Sequence, residues 1–280
     1  MPKTIHVAHS PDSDDAFMFY ALAEGKIDTG DLHYVHELAD IESLNQRARR
    51  KELEVTAVSI HAYAHLWRDY ALLGSGSSMG DGYGPRLVST LPRPADPRNA
   101  LKGRRVAVPG ELTTAVLALK LYQPDCITEV VPFDQIENAV QRGDCEIGLL
   151  IHEGQLTYAD EGLAKIVDLG EWWKGETGLP LPLGGNGIRK DLGPELSARV
   201  SRHLHDSIAH GLEHRAEGLA HAERFSRGLT RERTDRFVSM YVNDWTLDYG
   251  DAGRRAVALL LERGHAAGAI PRRVEPRFVS

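Results

Sequence analysis

The chain is poor in the features that mark several specialised classes of protein. Its 280 residues include only two cysteines, so a disulfide framework is excluded, and neither cysteine belongs to a CxxC pair. The N-terminus lacks the apolar segment of a secretory signal. No apolar run approaches the roughly 20 residues that a membrane-spanning helix needs. These absences predict a protein that works in the reducing cytoplasm without inserting into a membrane.

Positive charge is scarce as well. Lys and Arg total 33 against 40 for Asp and Glu, which gives a formal net charge of -7. The short basic stretch at residues 47–51 stands next to glutamates and is typical of a solvated helix face. The sequence has no GxGxxG after its first strand, no Walker A loop and no G-x-S-x-G elbow. We therefore expect neither a nucleic-acid partner nor a dinucleotide cofactor.

What the chain does contain is a regular alternation of strand-like and helix-like segments. This pattern predicts an α/β architecture in which each sheet is mainly parallel and flanked by helices. The stretch 172–177, which holds two tryptophans, is predicted to be a loop, and the chain from residue 193 onwards is predicted to be helical. The predicted strands cover residues 5–8, 32–38, 53–59, 72–73, 85–90, 105–109, 127–132, 146–152 and 163–168.

The order of elements at the start of the chain is repeated after a connector that contains three prolines. We therefore predict two similar lobes, a larger one formed by residues 1–90 plus 186–280 and a smaller one formed by residues 91–185. Two chain crossings, near residues 87–91 and 181–188, would form a double hinge and place a ligand cleft between the lobes.

The segment 148–154 ends a predicted buried strand with a titratable side chain. Its sequence, Gly-Leu-Leu-Ile-His-Glu-Gly, places His152 at the strand tip, where Gly154 lets the chain turn away. Ligands of open α/β sheets bind at the carboxyl ends of strands, and an imidazole there can act as a general base near neutral pH. The alternative is a histidine that only hydrogen-bonds a neighbouring loop. The segment by itself does not decide between the two.

Two other strand-to-helix turns carry polar groups that could serve a ligand. Asp12, Asp14 and Asp15 precede an apolar helix and could bind a divalent cation. Further ligands for a metal are scarce, so the preferred interpretation is helix caps that also contact a ligand, without a metal. Residues 110–114 begin a helix, and their N–H groups and two threonine hydroxyls could bind a carboxylate or a phosphate. An ordinary threonine cap explains the same pattern.

Three motifs resemble those of the menaquinone-biosynthesis proteins of the futalosine pathway. The central motif is similar to that of one branch, the 1,4-dihydroxy-6-naphthoate synthases, and the similarity covers essentially the whole chain. The motifs are Ser-Pro-Asp-Ser-Asp-Asp-Ala-Phe-Met-Phe-Tyr-Ala-Leu at residues 10–22, Ile-His-Glu-Gly-Gln-Leu-Thr-Tyr at residues 151–158, and Tyr-Val-Asn-Asp-Trp-Thr-Leu-Asp at residues 241–248, followed by Gly250.

The resemblance implies a fold, a reaction and a base. The fold is the two-lobed, type II fold of periplasmic binding proteins. The reaction converts cyclic dehypoxanthinyl futalosine into 1,4-dihydroxy-6-naphthoate by carbon–carbon cleavage, with no metal or organic cofactor, and the base is His152. One departure concerns Asp14, because many members carry Asn there, which replaces a hydrogen-bond donor by an acceptor.

The resemblance also suggests where a small-molecule carboxylate substrate binds. We expect the naphthoate carboxylate against Thr113 and Thr114, at the helix N-terminus. Side chains at strand ends and at the crossings are candidates for contacts with the ribose hydroxyls and ring oxygens. They are Ser10, Asp14, Ser59, Ser89 and Asn186. A homodimer is left open.

Three other functions compete with the synthase. Chorismate dehydratase shares the fold but, on our interpretation, lacks the histidine that this chain has at His152. A binding protein that captures a small anion without chemistry would normally carry a secretion signal. A metal-dependent hydrolase built on Asp12, Asp14 and Asp15 is the weakest alternative.

Overall fold

A computed structural model describes residues 3–279 of the chain, which form two β-sheets with helices packed around them. In the described part, the strands are β1 (Lys3–His9), β2 (Leu32–Leu38), β3 (Val55–Ser59), β4 (Tyr70–Leu72), β5 (Ser78–Gly80), β6 (Arg86–Ser89), β7 (Arg105–Val108), β8 (Ile127–Val130), β9 (Ile147–Leu150), β10 (Ala164–Asp168) and β11 (Leu181–Arg189).

The helices of the same part flank both sheets and dominate the last third of the chain. They are α1 (Ser13–Ala23), α2 (Ile41–Arg49), α3 (Ile60–Leu66), α4 (Pro97–Ala100), α5 (Thr114–Tyr122), α6 (Ile136–Arg142), α7 (Gly154–Thr157), α8 (Leu169–Thr177), α9 (Pro194–Glu213), α10 (Arg215–Ala222), α11 (Arg231–Tyr241), α12 (Asp244–Leu247) and α13 (Gly250–Ala266). Each of these helices is too short or too polar to cross a membrane.

In each sheet, one strand runs against all the others. The first sheet has the order β2-β1-β3-β11-β4, with β5 also paired to β11, and β11 is antiparallel to each of its neighbours. The second sheet has the order β10-β6-β9-β7-β8, and β6 is antiparallel to both of its neighbours. The remaining adjacent pairs are parallel. The predicted fold class, α/β with mainly parallel sheets, is confirmed.

The reversed strands are the ones by which the chain passes from one sheet to the other. The chain leaves the first sheet after β5 and enters the second through β6, and it returns through β11. Strand β6 therefore belongs to the second sheet, whereas the sequence pattern placed residues 86–89 in the larger lobe. We propose that the lobe boundary falls before Arg86, with the return crossing at β11.

The apolar core is continuous between the sheets. One cluster of buried side chains joins Val58 of β3 to Leu149 of β9, with Leu260 of α13 in the same cluster. A second cluster lies under α1 and α9 and includes Phe17 and Leu204. The C-terminal helices thus complete the packing around the first sheet, and α13 also packs against α5.

The prediction of a loop at residues 172–177 was wrong. Residues 172–177 belong to the helix α8, in which the Asp168 carboxylate caps the N–H groups of Gly170 and Glu171. Trp173 is fully buried, and its indole N–H donates to the carbonyl of Pro180 at 3.0 Å. The glycine-rich stretch at residues 74–84 contains the short strand β5.

Candidate functional site

A cavity lies where the ends of strands from the two sheets face each other. The segments after β1, β3, β7 and β9 all reach it, because parallel strands end at the same edge of a sheet. The reversed strand β11 supplies the residues 183–186 from its middle. Among the residues proposed from the sequence, the lining includes Ser10, Asp14, Ser59, Thr113, Thr114, His152 and Asn186.

His152 lies at the tip of β9 and faces the end of β1. Its Nδ1 atom is 3.0 Å from Oδ2 of Asp12, a side chain that is only 1% exposed. The His152 backbone adopts the left-handed conformation, with φ of 54°, which non-glycine residues rarely take outside functional or tightly held sites. If Nδ1–H donates to the carboxylate, the Nε2 atom is left as the proton acceptor. An imidazole held in this way is able to take a proton from a ligand in the cavity.

Asp12 is the central acceptor of the site rather than a helix cap. It is the N-cap residue of α1, but its side chain makes no capping hydrogen bond. Its carboxylate accepts from the Ser10 hydroxyl and from the Arg227 guanidinium, with which it forms an ion pair, and its Oδ2 atom lies 3.0 Å from Nδ1 of His152. The prediction of a cap at this position was therefore wrong, because the carboxylate oxygens are engaged by Ser10 and Arg227 and face His152.

Four carboxyl groups lie close together around this centre. Burial raises the pKa of Asp14 well above its usual range, and the negative charges of Asp15 and Asp12 raise it further. Burial and the charge of Asp12 raise the pKa of Asp15 to about 7. The same two causes raise the pKa of Glu153. Buried carboxyl groups that lie close together do not all ionise, because each negative charge disfavours the next. The cluster therefore retains protons near neutral pH.

Glu153 points into this cluster and not into solvent. It is 5% exposed, its Oε1 atom accepts from the Ser13 hydroxyl at 3.2 Å, and its Oε2 atom lies 3.9 Å from an Arg227 nitrogen. Residues 151–158, the central motif, therefore contribute both the imidazole and an acid to the same centre.

Three of the proposed binding side chains keep a hydrogen-bonding group free for a ligand. Asn186 donates from its amide nitrogen to the carbonyl of Gly76 at 3.0 Å, while its Oδ1 atom is buried and has no partner within residues 3–279. The Ser59 hydroxyl accepts from the Asn45 amide at 3.1 Å, which leaves its own proton available. Asp14 also lines the cavity, and its carboxyl group donates no side-chain hydrogen bond to another residue of the described part of the chain.

The two threonines at the start of α5 use their hydroxyls within the protein. Thr113 caps the helix by accepting from the N–H of Val116 and donates to the carbonyl of Gly110 at 2.8 Å. Thr114 donates to the carbonyl of Leu183 and accepts from the N–H of His61 at 3.1 Å. The first N–H groups of a helix have no intrahelical acceptor. At this turn the backbone, and not the hydroxyls, is therefore what a ligand can use.

Ser89 does not belong to the site. It ends β6, whose register pairs Arg86 with Leu150 and Val88 with Gly148, so the strand runs antiparallel to β9. The carboxyl end of β6 therefore lies at the far edge of the sheet from His152. The Ser89 hydroxyl accepts from the N–H of Leu91 at 3.1 Å. The sequence pattern placed Ser89 at a strand end but could not give the direction of that strand.

Sequence reasoning missed two further pairs of residues. The Gln155 amide and the Tyr241 hydroxyl are 2.7 Å apart, and both side chains are buried in the cavity wall. Both residues fall inside the motifs that carry the resemblance, which is the signal that could have found them. Arg227 and Phe133 fall in no motif, and only the fold brings them to His152.

Two mainly parallel sheets, each with one reversed crossing strand and with a polar cleft between them, define a ligand-binding fold of the periplasmic-binding-protein type. A Candida albicans protein described as having this generic fold is 13% identical, covers 96% of this chain and 91% of its own, and superimposes with a TM-score of 0.71. A protein of known crystal structure from Archaeoglobus fulgidus is much more similar, with 47% identity, coverage of 95% of this chain and 98% of its own, and a TM-score of 0.89.

Sequence comparison identifies the family. The family model described as menaquinone biosynthesis matches residues 5–266. A 1,4-dihydroxy-6-naphthoate synthase from Thermus thermophilus is 38% identical over 99% of this chain and 100% of its own length. The Streptomyces coelicolor protein of the same name is 36% identical over 96% of this chain and 95% of its own length. The chain belongs to the menaquinone-biosynthesis family.

Proposed function

We propose that this chain catalyses the 1,4-dihydroxy-6-naphthoate synthase reaction, acting as a lyase on cyclic dehypoxanthinyl futalosine with His152 as the base. Both curated relatives are named for this activity, and this chain matches each of them over nearly its full length. The observation that supports the base is the contact of His152 with the buried carboxylate of Asp12 at 3.0 Å. A carboxylate in this position fixes the tautomer and the orientation of an imidazole.

Cleavage of a carbon–carbon bond beside an enolisable ketone needs two groups. One takes a proton, and Nε2 of His152 is available for this step. The other stabilises the negative charge that develops on the ketone oxygen. Asp14 suits the second role, because burial and the charge of Asp15 raise its pKa and a protonated carboxyl group can donate a hydrogen bond.

This role for Asp14 also explains how this chain can have Asp at a position where many family members have Asn. An Asn amide donates through N–H, and an ionised carboxylate cannot donate at all. A carboxyl group that retains its proton donates through O–H, so the two side chains can make the same kind of contact. We infer that the crowding of acids around Asp14 preserves the donor that the substitution would otherwise remove.

The polar ends of the substrate have separate partners in this proposal. The carboxylate of the naphthoate portion binds the free N–H groups in the first turn of α5, where the helix dipole favours an anion. A hydroxyl of the sugar-derived portion donates to the Oδ1 atom of Asn186, which has no partner among residues 3–279, and an oxygen of the same portion accepts from the hydroxyl of Ser59. The Ser10 hydroxyl is committed to Asp12, so Ser10 contributes by holding that carboxylate.

We also propose a cytoplasmic location. The two cysteines, Cys126 and Cys145, are free and buried, which is consistent with a reducing compartment. A homodimer stays a prediction from the sequence.

The direct test is to incubate the purified protein with cyclic dehypoxanthinyl futalosine and to detect 1,4-dihydroxy-6-naphthoate by mass. We expect turnover by the wild type and a loss of roughly 100-fold or more in kcat for His152→Ala, which is the usual contribution of a positioned general base. Ser89→Ala is the matched control and should keep wild-type activity, because its hydroxyl lies at the opposite edge of the sheet.

The outcomes separate the alternatives. Wild-type protein that releases no naphthoate would contradict the synthase activity, and turnover of chorismate in a parallel reaction would then favour the dehydratase. Tight binding of the substrate without turnover would favour a binding protein. An active His152→Ala variant would leave the activity in place but would remove His152 as the base.

A further inference from the structure

Arg227 occupies an unusual position between the two sheets. It lies in the loop between α10 and α11, and its backbone adopts the left-handed conformation, with φ of 52°. Residues other than glycine hold this conformation only where the surroundings impose it. The only other residues within 3–279 that share it, glycines apart, are Lys51 and His152. His152 and Arg227 both contact the same carboxylate, that of Asp12.

The Arg227 guanidinium contacts groups that belong to both sides of the cleft. It forms an ion pair with Asp12, which follows β1 of the first sheet. Its centre lies 4.3 Å from the ring centroid of Phe133, and one of its nitrogens lies 3.9 Å from a Glu153 oxygen. Phe133 follows β8 and Glu153 follows β9, both in the second sheet. One side chain therefore spans the gap between the segments that follow the two sheets.

The same contacts lead directly to His152. The Phe133 ring lies edge-on to the imidazole, with 5.1 Å between the ring centroids. The imidazole thus has Asp12 on one side and Phe133 on another, and Arg227 holds both. Because its side chain is 32% exposed, Arg227 stands at the rim of the cleft rather than within the reacting centre.

We propose that Arg227 is a positioning residue that bridges the two sides of the cleft and holds Asp12 and Phe133 in the geometry that orients His152. This inference rests on the proposed synthase activity. A planar guanidinium suits the task, because it can bond a carboxylate with its edge while it stacks on an aromatic ring with its face. The cation also offsets the charge of the surrounding acids, which would otherwise repel each other across the cleft.

The chain offers a matched control in Arg233. Its guanidinium pairs with Asp160, and so it also joins the C-terminal helices to the segment after β9. Its side chain is 43% exposed, that of Asp160 is 53% exposed, and neither lines the cavity. Exposed pairs of this kind contribute little. Arg233 therefore connects the same two parts of the chain, but its partner does not contact His152.

The test compares Arg227→Ala, Arg227→Lys and Arg233→Ala in steady-state kinetics with cyclic dehypoxanthinyl futalosine. For Arg227→Ala we expect kcat to fall about 10- to 100-fold, as misplacement of a catalytic group by about 1 Å can cause. KM should change by less than about threefold, since Arg227 does not bind the substrate. Arg227→Lys should lose less, because it keeps the charge but not the planar edge. Arg233→Ala should match the wild type.

Chemical rescue adds a measurement that distinguishes a positioning role from a general contribution to folding. Methylguanidinium in the assay should restore part of kcat to Arg227→Ala and should leave Arg233→Ala unchanged. Circular dichroism checks the fold, and Arg227→Lys carries the comparison if the alanine variant loses its native spectrum.

Three results would overturn the proposal while the synthase activity stands. They are a kcat of Arg227→Ala within twofold of the wild type, a loss confined to KM, and an equal loss in Arg233→Ala. If the alanine variant does not fold, wild-type kcat and KM in Arg227→Lys take the place of the first of these results. Wild-type protein without turnover would overturn the synthase activity and, with it, this role of Arg227.

Discussion

Two turns of similar local design meet in the cleft, and their polar groups are used in different ways. The acidic turn (residues 10–15) leads from β1 into α1, and the threonine turn (residues 110–114) leads from β7 into α5. Each follows a strand inside a parallel pair and each precedes an apolar helix. In the acidic turn the Asp12 carboxylate pairs with Arg227 and contacts His152 across the cleft. In the threonine turn both hydroxyls bond within the protein.

The difference lies in how each helix is capped. Thr113 is the N-cap residue of α5, and its oxygen accepts from the backbone, as an N-cap normally does. Asp12 is the N-cap residue of α1 but leaves the helix uncapped by its side chain. A helix without its usual cap gives up about 1 kcal/mol of stabilisation. We infer that the Asp12 side chain is specialised for orienting His152, whereas the threonine hydroxyls serve the fold and leave the backbone N–H groups of their turn to the ligand.

The largest effect should come from the acidic turn. In Asp12→Asn the carboxylate beside Nδ1 of His152 is lost, and the imidazole can take the wrong tautomer, so we expect kcat to fall about 100-fold or more. Asp14→Asn is the matched control, two residues away. It keeps a donor at the cavity wall and should change kcat by less than about fivefold. Steady-state kinetics measure both, and equal losses would contradict the distinct role of Asp12.

The acidic turn should also affect how stability depends on pH. Burial and the charge of Asp12 raise the pKa of Asp15 to about 7, whereas the unfolded chain has the ordinary value of about 3.9. Between these two values the folded state binds more protons than the unfolded state. This group therefore lowers the free energy of unfolding as pH rises from about 4 to about 7, by at most about 1.4 kcal/mol per pH unit.

Asp15→Asn replaces the titrating carboxyl group by an amide, which does not titrate. Relative to the wild type, the variant should become steadily more stable from pH 4 to about 7, the range between the ordinary pKa and the value of about 7, and the difference should level off above it. Urea denaturation at a series of pH values measures the difference. A difference that stays constant or shrinks with rising pH would show that Asp15 is not held in its protonated form.

Much of the fold could be predicted because its signals are local. The strand at residues 32–38 was predicted with the bounds that the structure gives, since its apolar pattern and flanking turns are clear. The helix α8 was missed although it has an Asp cap and a glycine at its end, because Gly170, Gly175 and two tryptophans obscure the helical pattern. Local signals of this kind predict elements well and their exact type less well where glycine intervenes.

The site could be predicted only in part, because its partners come from distant parts of the chain. His152 was recognisable at a strand tip, but the contact of Asp12 with Arg227 joins residues that are far apart in sequence. Ser89 was misplaced because strand direction is a property of the sheet and not of the strand. The sequence shows which residues can form hydrogen bonds, and the fold decides which bonds are already made.

The smallest effect on activity should come from the threonine turn, and it is the one that tests the comparison most closely. Thr113→Ala removes the cap of α5 and should lower the free energy of unfolding by about 1 kcal/mol, while kcat and KM stay within about twofold of the wild type. Urea denaturation and steady-state kinetics measure the two quantities on the same protein. Ser59→Ala is the control, because its hydroxyl proton faces the cavity and its loss should raise KM. If Thr113→Ala instead raised KM as much as Ser59→Ala at unchanged stability, its hydroxyl would be a substrate contact. Side chains of both turns would then contact the ligand, and the two turns would differ only in which ligand groups they bind.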